Sequence, residues 1–178
     1  MHRQRSTCPR TVRRPPARGI YSPLVTVFEW VEATGVAHAV RDSLTLTASL
    51  SAVHLLGFTL ITGGALLTNL RFIGVLLAKQ PLNDVTRPAT RGIAVGLAIS
   101  VTTGALLFST RATAAAENRI FQVKMSLLVA AAIFHFAVQR RLATAAGPER
   151  GVVRASGVLG LGMWLGLALA GCAFILLE

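Results

Sequence analysis

Residues 43–70 read SLTLTASLSAVHLLGFTLITGGALLTNL, 28 residues without a charge, held between Arg41-Asp42 and Arg71. About 20 apolar residues cross a bilayer core of roughly 30 Å as a helix, so this stretch is long enough to span a membrane. Working outward, three more such stretches follow: 92–110 between Arg91 and Arg111, 120–139 interrupted only by Lys124, and 155–177 between Arg154 and Glu178. Of the seven prolines (9, 15, 16, 23, 81, 88 and 148), none falls inside these stretches, where proline would break a helix. The expected fold is all-α: a polytopic membrane protein with four transmembrane helices at about 45–70, 92–110, 120–139 and 155–177. Short connections after the first make sequential helices antiparallel neighbours, an up-down bundle.

Composition agrees. The chain is 53% hydrophobic and 14% charged, against about 25% charged in a soluble domain. Lys and Arg number 18 against 7 acids, a net charge of +11. Six of the arginines lie in the first 18 residues, and the rest flank apolar segments. That distribution belongs to a membrane protein, not a nucleic-acid binder. Residues 1–21 read as a disordered basic tail suited to anionic headgroups, and 22–178 as a single transmembrane domain. Ser22-Pro23 reads as a helix start. Leu24 to Arg41 reads as one amphipathic helix lying in the interface, with Leu24, Val27, Phe28 and Val31 on one side and Glu29 and Glu32 on another. Loops one and three carry eight positives (Arg71, Lys79, Arg87, Arg91, Arg140, Arg141, Arg150, Arg154). The positive-inside rule therefore puts them in the cytoplasm and both termini outside.

Helices in lipid associate by close backbone approach and interhelical hydrogen bonds. Gly92, Gly96, Ser100 and Gly104 recur every fourth residue in span two, and Gly162, Gly166 and Ala170 in span four; both are expected to be packing ridges. Polar side chains within spans default to functional candidates. His54 and His135, on spans that run the same way, are the pair that a b-type haem would need, with His38 as a weaker second ligand. At about 1.5 Å per residue their depths differ by roughly 6 Å, or by roughly 18 Å if the first span's surplus residues precede the core. Asn69, Arg71, Asn118 and Lys124 are candidates for polar belts at the two membrane faces. The seven acids are dispersed, none of them within a span, and HExxH, CxxC and nucleophile-elbow motifs are absent. No metal site and no catalytic residue is expected.

The runs FEWVEATGVAHAVRDS (28–43), AVHLLGFTLITGGALLTNLRFIG (52–74) and VTTGALLFSTRATAAAENRIFQVKMSLLVAAAIFH (101–135) resemble an uncharacterised family of small bacterial integral membrane proteins. The resemblance rests on His54, Gly57, Leu70, Arg71, Gly74, Thr103, Gly104, Phe108, Asn118, Phe121 and Lys124. It implies the same four-span fold and no settled activity. Two residues depart from that pattern: Asn69 stands where the family has an acid, and His135 where it has an asparagine. The function expected first is a non-enzymatic membrane partner or anchor subunit, meeting the lipid bilayer and a membrane or periplasmic protein. The alternatives are a b-type haem electron-transfer module and, more weakly, a small metal or proton transporter.

Overall fold

The computed structural model describes residues 23–145 and 149–177, all helical or in short turns; the basic tail 1–21, Ser22 and Pro148 lie outside them. The elements are α1 (Pro23–Glu32), α2 (Gly35–Asp42), α3 (Leu44–Ile73), α4 (Leu82–Ser109), α5 (Ala112–Glu117), α6 (Arg119–Ile133), a π-helical segment (Phe134–Gln139), α7 (Arg140–Thr144) and α8 (Arg150–Leu177). Four helices are long and apolar enough to cross a membrane: α3, α4, the continuous run from α6 through α7, and α8.

Local chemistry sets the ends. Ser43 caps α3 by accepting from the Leu46 N–H, and Gly74, at φ 89°, closes it by donating to Leu70 and Arg71 carbonyls. A left-handed residue at this position is best served by glycine, which has no Cβ to clash. Asn118 caps α6, its Oδ1 accepting from Ile120 and Phe121 N–H groups at 2.8 and 3.3 Å.

Two sequence expectations change. The lead-in is two helices, not one: Thr34 Oγ1 donates to Val31 O at 2.7 Å and accepts from Ala37 N, ending one helix and capping the next. Span two begins at Leu82, ten residues before Gly92, so Pro88 lies inside α4. The proline leaves the Asp84 carbonyl without its helical donor. Both residues are exposed, where water can supply that bond.

The helices are held by close approach. A Cβ on Gly57 would lie 2.6 Å from Ser100 Oγ and 3.0 Å from the Gly96 carbonyl. One on Gly96 would lie 2.6 Å from the Gly57 carbonyl, and one on Gly64 2.7 Å from that of Ala89. These three glycines bring α3 and α4 together antiparallel. Of the small residues expected in span two, Gly96, Ser100 and Gly104 face α3, whereas Gly92 looks onto open space. On α8 the tight contacts fall at Gly157 and Gly160. Gly162 has nothing near it, and Gly166 meets only Leu127 at 3.8 Å. Spacing within one helix identifies a smooth stripe but not which side turns inward, and α8 has glycine on more than one side. The central core is Ile61, Ala65, Ile93, Ala131, Trp164 and Leu167.

The two lead-in helices fold onto the end of the bundle that carries α5. Phe28 meets Phe108 edge-on at 6.0 Å, and Phe108 stacks on Phe121 at 5.4 Å. Glu32 accepts from the Thr113 N–H at 2.7 Å, and the Arg41 guanidinium donates to the Thr110 carbonyl at 2.7 Å. Phe108→Ala is expected to release this cover: amide exchange in residues 27–42 should rise about tenfold, an aromatic pair being worth about 1 kcal/mol beyond its area. Exchange in α3 and α8 should stay unchanged.

Candidate functional site

Four polar side chains inside the bundle, those of Thr90, His135, Gln139 and Asn69, form one chain of hydrogen bonds. It starts at Asn69, fully buried on α3, whose Nδ2 donates to the Ala65 carbonyl one turn back at 2.7 Å. That bond leaves Oδ1 as the acceptor facing the neighbouring helices. Gln139 Nε2 donates to it at 2.7 Å and to the Ser156 carbonyl of α8 at 3.1 Å. Gln139 Oε1 must then accept, so His135 carries its proton on Nδ1 and donates across 3.0 Å. With Nδ1 protonated, the neutral ring's Nε2 is an acceptor, and Thr90 of α4 donates its hydroxyl to it at 3.1 Å. Every donor points the same way, from Thr90 through His135 and Gln139 to Asn69, and all four spans take part.

His135 and Gln139 are both 1% exposed. They stand at the two ends of the π-helical segment, where the Arg140 N–H reaches back five residues to the His135 carbonyl. Such wide turns are rare and cluster at functional positions. Opposite them α8 presents Gly160, where a Cβ would lie 2.5 Å from Gln139 Nε2 and closer still to Asn69 Oδ1. The glycine is what admits the paired amides.

His54 belongs to a separate site. Thr103 Oγ1 donates to its own Ile99 carbonyl at 2.7 Å, so it accepts the 3.0 Å bond from His54. The His54 proton is therefore on Nδ1 and the Nε2 lone pair is left to the ring's other side. Gly104 makes room: a Cβ there would lie 3.1 Å from the ring. The half-buried Lys124 is near enough for its charge to reach the imidazole.

The two histidines do not meet. His54 sits beside Thr103 and His135 beside Thr90, 13 residues apart on α4, which is about 20 Å of helix at 1.5 Å per residue. One iron with an axial ligand from each is not what this bundle builds, because the antiparallel register set by Gly57, Gly64 and Gly96 separates them. His38 is exposed on α2. Arg71 donates to the Gln80 carbonyl in loop one, at the opposite end of the bundle from Asn118. Among the described residues no three His, Cys, Asp or Glu cluster as a metal site would need. Gln139, Thr90, Gly157 and Gly160 were missed in the sequence. The signal for Gln139 was available: with His135 it places two polar groups four residues apart on one apolar helix.

These features define the class: a multi-pass, all-helical membrane protein of four spans fastened by a buried polar chain. The chain belongs to a family of unknown function, DUF6644, whose model matches residues 27–175. No curated protein and no solved structure matches it.

Proposed function

We propose that the protein is a non-enzymatic membrane partner or anchor subunit of the bacterial inner membrane. The observation that carries this reading is the state of His135. Both of its ring nitrogens are engaged by neutral side chains, Thr90 and Gln139. The most buried histidine of the spans thus ties helices together and offers no lone pair to a reacting group. The excess of arginine and lysine in loops one and three supports a cytoplasmic side for those loops. The test is extraction from native membranes in a mild detergent. The expected result is a complex of fixed stoichiometry that survives size exclusion, with its partner leaving the membrane fraction when this chain is deleted. A single chain carrying no other protein in native mass spectra would overturn the proposal.

A b-type haem is the second reading, and His54 is the residue that bears on it. Its Nε2 keeps a lone pair while Nδ1–H is oriented by Thr103, the arrangement in which a ligating imidazole is held. The dithionite-reduced minus oxidised spectrum of haem-supplied protein is expected to be featureless. Sharp bands that vanish in His54→Ala would reverse the order of the two readings.

A further inference from the structure

Between α4 and α7, at the end of the bundle that carries loops one and three, there is a cavity of about 510 Å3. Arg87 and Arg91 stand one turn apart on α4, and Arg140 lines the other side from α7. No acid among the described residues lines it. All three guanidinium groups are exposed, and among the described residues none has a hydrogen bond or ion pair from its side chain. Thr90 also lines the cavity, but its proton is turned inward to His135; the cationic side chains of the lining are the three arginines. One turn deeper along each helix the lining becomes Ala94 and Phe136.

Three guanidiniums gathered on one opening with no protein acid between them repel one another and favour a multi-oxygen anion, which arginine's planar fork binds with two parallel hydrogen bonds. The apolar wall below them has no use in holding a free ion. Charge at the level of the headgroups over an apolar wall at the level of the chains matches an amphiphile. Basic pockets between membrane helices are known to select anionic headgroups on this principle. We propose that this cavity is a binding site for an anionic phospholipid. Arg87, Arg91 and Arg140 surround the phosphate oxygens, and an acyl chain lies along Ala94 and Phe136. The site is independent of the partner or anchor role.

The test is native mass spectrometry of the full chain in a neutral detergent. It is titrated with equal amounts of phosphatidylglycerol and phosphatidylcholine and, separately, with inorganic phosphate. Phosphatidylglycerol is expected to be retained over phosphatidylcholine, and that preference should fall about tenfold in Arg91→Ala and Arg140→Ala, charge-assisted hydrogen bonds being the strong ones. Arg119→Ala, at the other end of the bundle, should leave it unchanged. Arg140→Lys keeps the charge and loses the fork, so it should fall between wild type and alanine; this separates loss of the site from loss of the fold. Equal retention of the two lipids, or a preference untouched by the variants, overturns the proposal. Binding of inorganic phosphate without a preference for phosphatidylglycerol overturns the lipid assignment and makes the ligand a free anion.

Discussion

Gly160→Ala should lower the thermal midpoint of the detergent-solubilised protein by about 5 °C, while Gly162→Ala, two residues away, leaves it unchanged or slightly raised. The difference lies in what the new methyl group meets. At Gly160 it would fall 2.5 Å from Gln139 Nε2 and nearer to Asn69 Oδ1, two buried groups already bonded to each other. Neither can swing away without leaving a donor or acceptor unpaired in a low-dielectric interior. At Gly162 nothing lies within 4 Å, and alanine is the better helix former. Overpacking of this kind costs about 2 kcal/mol, and each kcal/mol moves the midpoint of a chain this size by about 2–4 °C. Equal midpoints for the two variants would mean that α8 does not approach α3 as described.

Gln139→Leu is expected to cost about 3 kcal/mol, more than the loss of an average interhelical bond. Double-mutant couplings between membrane helices average ~0.6 kcal/mol and reach about 1.7. Gln139 is a different case because its removal orphans two buried partners at once, His135 Nδ1–H and Asn69 Oδ1, and takes a second donor from the Ser156 carbonyl. An unsatisfied buried group costs about 1–3 kcal/mol, and relaxation of the bundle recovers part of the sum. The same reasoning predicts non-additivity. With Gln139 already replaced, Asn69→Leu should cost at least about 1 kcal/mol less than it does in the wild type, because the orphaned Oδ1 goes with it. Unfolding in graded denaturing detergent measures all three variants. Additive losses would show that the amides do not form one network.

The residues of this network show how far a sequence carries. His135 was visible as a polar group in an apolar span, and Asn69 as a departure from the pattern that the chain resembles, but nothing local joined them. They meet through Gln139, which marks the end of span three when hydropathy alone is read. The π-helical segment that carries His135 and Gln139 has no proline or glycine to announce it. The pairing of His54 with His135, reasonable from depth, depended on a register that spans 43–70 and 120–139 do not themselves contain. On α8, spacing singled out Gly162 and Gly166, while the glycines in tight contact are Gly157 and Gly160.

The sequence by itself determined that this chain is helical and crosses a membrane four times. Length and hydropathy are properties of each segment alone, and the thickness of a bilayer supplies the ruler. The caps that the structure shows at Ser43, Gly74 and Asn118 are equally local, each a contact between residues a few positions apart. Only the tertiary structure decided which polar groups face one another. That depends on the rotation and register of whole helices, set where glycine lets two backbones approach within a few ångströms. Such contacts join residues dozens of positions apart, as Asn69 and Gln139 are, and no local pattern encodes them.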